Sequence, residues 1–356
     1  MNFISIDQHI SVCADMRYIF NRLGHTVREL SLSGHASVIN RPQASIEMLS
    51  GAAWNKTISN RMSKEFYDKY KNELNKYDGF ICCYPPIFSM LYKYFDKPII
   101  IQIPIRYEYG ADCDAVLWEE FNRYLQEYVD SGKIILCANS IYDKKYAEGF
   151  LDREVRHIPS LCEYTGMTYN PVYGQFLYNS SFKIDEPSGR MVKKHDALQA
   201  GHAWQTLADF KGSIHYPYQV STMSIFEQYT ANIPLFFPTK RYLMEMFLSG
   251  VPILNQISWQ QCIQHGISKS LIPNDFEYDP NNFTDFNCVA HWLQYADYYN
   301  DDMRCIQYFD SPEERDSILS IDKEELINIS LQMATHNKER KERVYRAWAD
   351  VLEDLK

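Results

Sequence analysis

Apolar residues in the first half of the chain come in two spacings. Phe3 to Ile6, His25 to Leu32, Phe80 to Cys83, Ile99 to Ile103 and Lys133 to Ala138 are short runs of strand length. Met16, Ile19, Phe20 and Leu23 instead recur at helical spacing and stop at Gly24, a residue that closes helices because it accepts a left-handed backbone. Pro98 opens and Pro104 closes the fourth run, and a further helix begins at Tyr142 after Asn139-Ser140. Short apolar strands separated by helices predict a parallel sheet with helices on both faces. Val155 to Ile158 reads as the last strand, and Pro159-Ser160-Leu161 marks a joint.

Beyond the joint the pattern is less regular. Tyr164 to Gly189 is rich in Tyr, Asn, Gly and Ser around one apolar segment, Phe176 to Tyr178. Met191 to Phe210 reads mostly as helix. Ser213 to Pro238 reads as strand, tight turn, short helix and strand, with Asn232 in the left-handed stop position and Ile233 to Phe237 buried on both faces. Arg241 to Leu248 predicts a helix ending at Gly250, and Val251 to Leu254 a strand. Val289, Trp292, Leu293 and Ala296 mark another helix. Asp322 to Glu325 has capping-box spacing before Leu326, Ile329 and Met333. Glu339 to Lys356 places Val344, Trp348, Val351, Leu352 and Leu355 on one stripe.

The unit from 213 to 238 carries the chemistry. A strand feeding a helix aims the helix N-terminus, with its unpaired N–H groups, at the carboxyl edge of the sheet, where phosphorylated ligands bind. Ser221, Thr222, Met223 and Ser224 offer amide and hydroxyl donors there, and Glu227 is the one carboxylate. Two readings of these residues stand side by side. In one, Ser224 and Glu227 close a capping box and serve the helix alone. In the other, they grip a diphosphate and its ribose. The order Glu227-Gln228-Tyr229-Thr230-Ala231-Asn232-Ile233-Pro234-Leu235-Phe236 resembles the donor segment of GT-B glycosyltransferases, approximately Glu-Ala-Met-Ala-x-Gly-x-Pro-Val-Val. Asn stands for Gly here, and the small residues are missing. In that family the Glu binds the ribose hydroxyls of a nucleotide sugar. Glu245, in Leu243 to Ile253, fits the same pattern with its Gly, but lacks a hydroxyl-lined turn ahead of it. The opening FISIDQHISV and FNRLGHTV also resemble the first strand, loop and helix of that fold.

The resemblance implies two doubly wound, Rossmann-like α/β domains facing across a cleft. Residues 1–160 would form the acceptor side, 161–338 would hold the nucleotide sugar, and 339–356 would be a helix crossing back to the first domain. His215 and Tyr216 would lie at the donor base, and Lys240 and Arg241 near phosphate, with Arg190, Lys193 and Lys194 of the same sort. On the acceptor side Asp7 and His9 end the first strand, and a His there is suited to take a proton from a hydroxyl near neutral pH. Arg106 and Glu108 follow the strand closed by Pro104 and can bind or deprotonate an acceptor; an ion pair on a solvated loop is the plainer reading. Asp112 and Asp114 form an Asp-x-Asp, but ahead of a helix, so they read as helix-start charges.

Composition narrows the function further. A length of 356 residues suits two domains. With 46% hydrophobic and 23% charged residues the chain is globular in type, and its net charge of −10 argues against a nucleic-acid partner. No apolar run reaches the roughly 18–20 residues of a membrane span, and the start lacks a basic, apolar leader, so a cytoplasmic setting is expected. Nine scattered cysteines without a CxxC pair point to reduced thiols. Neither a metal nor a cofactor is expected beyond the donor substrate, and GxGxxG after a strand, GxxxxGK[ST], GxSxG and HExxH are absent. The expected activity is glycosyl transfer from a nucleoside-diphosphate sugar to a hydroxyl acceptor, a glycan. A sugar-nucleotide epimerase or hydrolase, or a non-catalytic two-domain sugar-binding protein, would share the architecture. The sugar, the base, the stereochemical course and the oligomeric state stay open.

Overall fold

A computed structural model describes the chain except residues 50–57, 59, 112–114, 181, 183, 185–188, 199–202, 252–283 and 356. The described residues form two compact units, 1–160 with 344–355 and 161–251 with 284–343.

The first unit holds six parallel strands: β1 (Asn2–Asp7), β2 (Thr26–Ser31), β3 (Gly79–Cys82), β4 (Ile99–Ile103), β5 (Ile134–Ala138) and β6 (Arg156–His157). Their order is β2-β1-β3-β4-β5-β6. β3 and β4 are buried throughout and β1 from its second residue, as runs covered on both faces must be. Helices α1 (Ile10–Arg22), α2 (Asn60–Leu74), α3 (Ala115–Asp130) and α4 (Ile141–Leu151) lie between strands in sequence, and Ser140 caps α4.

The second unit holds five parallel strands: β7 (Phe176–Asn179), β8 (Met191–Lys193), β9 (Ser213–His215), β10 (Leu235–Pro238) and β11 (Gln307–Phe309). Their order is β11-β10-β9-β7-β8. Counted within its own unit, each sheet therefore begins second, first, third, fourth, fifth. Both are α/β sheets whose order reverses between the first and third strands, the place where such sheets leave a crevice at their carboxyl ends. Helices α5 (Lys194–Ala197), α6 (Gln205–Ala208), α7 (Met223–Thr230) and α8 (Lys240–Leu248) follow their strands.

Two expectations change. Met191 to Phe210 is not one helix: it supplies edge strand β8 and the short helices α5 and α6. The closing helix is continuous over Lys323–Glu353, joining the segments read separately, and Asp322 accepts from the Glu325 amide at its start. The strand expected at Val251 to Leu254 falls outside the described residues except at its first position. No helix among the described residues is long and apolar enough to cross a membrane.

One glycine position recurs in both units. Gly79 opens β3 and Gly212 precedes β9, the third strand of each sheet. A Cβ on Gly212 would lie 2.8 Å from the Pro234 carbonyl and 3.0 Å from the Phe236 ring. Backbone cannot step aside as a side chain can, so Gly212→Ala is expected to cost about 1–3 kcal/mol. An unchanged urea midpoint for that variant would contradict the close approach.

Candidate functional site

The second sheet reverses between β7 and β9, which end on Asn179 and His215. From β9 the chain turns through 216–222 into α7. Thr222 holds the N-cap position with extended backbone, φ −147° and ψ 142°, but its side chain caps nothing and meets Ser224 Oγ at 3.2 Å. Thr239, Asp285 and Ser311 in the same unit all cap the helices that follow them. Ser221 and Met223 are buried, Thr222 and Ser224 half-buried.

Glu227 lies on the first turns of α7 and is 5% exposed. Its Oε1 accepts from the Tyr164 hydroxyl at 2.7 Å, from a residue 63 positions earlier. That is its one side-chain hydrogen bond among the described residues, so Ser224 and Glu227 do not close a capping box. Tyr164 sits in the turn Glu163–Thr165 between two left-handed residues, Cys162 (φ 55°) and Gly166 (φ 63°), with its ring edge-on to Trp204. The turn is anchored by a Glu163–Lys341 ion pair.

Lys194, directly after β8, belongs to the same neighbourhood. Burial pushes its ammonium down while the charge of Glu227 holds it up. Burial also pushes His215 down to about 3, and Lys194 adds to that, so the imidazole is neutral. The Gln228 amide donates to the Ser224 carbonyl at 3.0 Å, leaving its oxygen toward His215 Nε2 at 3.3 Å; that nitrogen therefore carries the hydrogen. The ring stacks on Phe237 at 4.9 Å and 9°. Lys194, Glu227 and His215 thus meet at one end of the sheet.

The other residues expected on the donor side have different surroundings. Tyr216 is buried between the Phe182 and Phe309 rings and accepts from Arg315. Lys240 is exposed, its ammonium over the Tyr299 ring. Glu245 is on the exposed side of α8, paired with Arg241, which also holds Asp310. It follows β10, one strand away from the reversal. Arg190 is exposed and donates to Ser320 Oγ, and Lys193 is half-buried at the end of β8.

The first sheet reverses between β1 and β3. Asp7, fully buried at the end of β1, accepts from the amides of His9 (2.6 Å), Tyr84 (2.8 Å) and Cys83 (3.2 Å). One carboxyl thereby ties the loops after two strands together. Burial pushes it up to about 8 against the pull of those amides. His9 is half-buried, its ring edge-on to Tyr84. Arg106 and Glu108 are not on a solvated loop. They are 2% and 0% exposed with Nε and Oε1 3.6 Å apart, Glu108 accepts from the Tyr146 hydroxyl, and the guanidinium lies 3.8 Å over the Tyr146 ring. Asp143 sits nearby at the start of α4, pushed up to about 7 by burial although Arg106 pulls it down. Asp112 and Asp114 fall outside the described residues. Sequence reasoning missed Tyr164 and Tyr146, whose partners lie 63 and 38 residues away, and Asp143, whose hydroxyl donor Ser140 is local but whose place beside Arg106 is not.

No family model matches the chain, and no curated protein does. Among solved structures it is similar to the glycosyltransferase SnogD from Streptomyces nogalater, at 11% identity over 98% of this chain and 99% of that one, with a TM-score of 0.41. A likeness of that size carries no argument about activity.

Proposed function

We propose that this protein transfers a glycosyl group from a nucleoside-diphosphate sugar to a hydroxyl acceptor. The observation that carries the reading is Glu227. It is a carboxylate beside a strand-order reversal, next to a helix start that no side chain caps, held by a single phenol and not by its own helix. In this reading Glu227 accepts from the ribose hydroxyls, and the amides and hydroxyls of 221–224 face the diphosphate. Lys194 supplies a cation to the same anion. Charge that grows on the departing diphosphate is stabilised by donors already in place, which is where electrostatic catalysis acts.

Glu245, in an exposed ion pair away from the reversal, has no part in this. Neutral His215 serves as an uncharged wall beside the nucleotide. In the first unit His9 is the base for the acceptor hydroxyl, on a loop fixed by Asp7. Arg106 and Glu108, being buried, support the loop after β4 and do not touch the acceptor. The reaction needs no cofactor besides the donor.

Isothermal titration against a panel of nucleoside diphosphates and their sugar esters tests this. At least one should bind, and Glu227→Ala should weaken it by about 10- to 150-fold, the worth of a charged hydrogen bond. Full affinity in that variant removes the residue assignment; no binding by the unaltered protein removes the function. Sugar-nucleotide turnover that is the same with and without acceptor would point to a hydrolase or epimerase.

A further inference from the structure

Three loops of the first unit each deliver one ring to a single place. His9 follows β1, Tyr84 follows β3 and Tyr109 follows β4, and these strands are neighbours in the sheet. Tyr84 and Tyr109 stack with centroids 4.9 Å apart and planes 25° apart, and His9 meets Tyr84 edge-on at 5.5 Å. The backbone beneath is tied down. Asp7 holds the amides of His9 and Tyr84, the Gln8 amide donates to the Tyr84 carbonyl at 2.8 Å, and the Tyr109 amide donates to Arg106 at 3.2 Å. Yet all three residues stay partly exposed. The Tyr109 hydroxyl makes no hydrogen bond to a described residue.

The geometry points to a carbohydrate-binding shelf on this edge, with Tyr109, backed by the Tyr84 ring, taking the C–H face of a sugar ring on its outer face and His9 on the same edge toward a hydroxyl. A rigid aromatic ring left partly exposed suits a ligand with one dry face and one wet one. A pyranose ring has that division. A flat aromatic molecule is dry on both faces and takes deep apolar pockets that enclose most of its surface. The shelf names the acceptor of the reaction proposed above and rests on that reading for its purpose, but its occupancy can be measured without donor.

Saturation-transfer NMR on the full chain would use methyl glycosides of glucose, galactose, mannose and N-acetylglucosamine, their disaccharides, and 4-methylumbelliferone. Saturation of at least one sugar is expected. Its Kd should rise about tenfold in Tyr109→Leu, which keeps apolar bulk without a stacking face, and hold in Tyr109→Trp. Both variants should keep the melting temperature. Equal sugar binding by Tyr109→Leu, binding of 4-methylumbelliferone alone, or no binding at all would each overturn the shelf. Sugar binding lost in Tyr109→Leu, together with no nucleotide-sugar binding by the unaltered protein, would sink the transfer reaction and leave the shelf standing.

Discussion

Replacing Arg340 by alanine is expected to destabilise the second unit by about 3–5 kcal/mol. Arg340 lies on the closing helix, wholly buried, with its Nε 2.9 Å from Asp302 Oδ2. Its guanidinium sits 5.8 Å from the Phe226 ring and 5.7 Å from that of Tyr229, both on the helix that carries Glu227. Alanine would empty the space under two rings and take one cation from Asp302. Asp302 keeps Arg343 at 3.1 Å and is partly open to water, so the lower end of the range applies. In thermal terms that is a fall of about 6–12 °C for a unit of this size. Arg340→Met, which refills the space without a charge, should lose less. Urea unfolding of the two variants checks both statements, and an alanine variant within about 0.5 kcal/mol of the parent would contradict them.

Raising the pH from 5 to 8 should weaken the first unit while the second gains or holds. In the first unit Asp7 is pushed up to about 8 and Asp143 to about 7, from an ordinary 3.8. A folded state that holds a proton more tightly than the unfolded chain has its full advantage below the unfolded value. It loses that advantage as pH climbs toward the folded value. The loss therefore starts near pH 4 and ends near 7 to 8, at about 1.4 kcal/mol per pH unit per group, several kcal/mol in all. In the second unit His215 is pushed down from 6.5 to about 3, so its contribution is whole above 6.5 and fades as pH falls below it. Hydrogen exchange resolved by peptide, corrected for intrinsic rate, should show opposite slopes between pH 5 and 6.5. Asp7→Asn and Asp143→Asn should each flatten the first. Protection of the first unit that rises over this range would refute the assignment.

The interior strands were legible because burial on both faces leaves a continuous apolar run. Ile99 to Ile103 needed nothing but its own residues and the prolines at either end. Edge strands β8 and β11 were not legible: each is three residues long and only partly buried, so no such run survives. That is why Met191 was drawn into a helix. At the candidate site the spacing isolated Glu227 but left a capping box open. The capping box is excluded by the contact with Tyr164, which is a tertiary fact. Asp7 was likewise visible as a strand-end acid, but its hold on the amide of Tyr84, 77 residues later, was not. For Arg106 and Glu108 the alternative of a solvated ion pair fails, because Tyr146 of α4 covers them.

The closing helix is shared, with residues to 343 belonging to the second unit and those from 344 to the first, where Trp348 is buried edge-on against Phe20 of α1. On the ribosome, Phe20 is made 328 residues before its partner. The first sheet can therefore assemble during translation but must wait with an open hydrophobic seam until that helix has left the exit tunnel. A fragment cut after the joint at Ser160 would carry the same seam permanently.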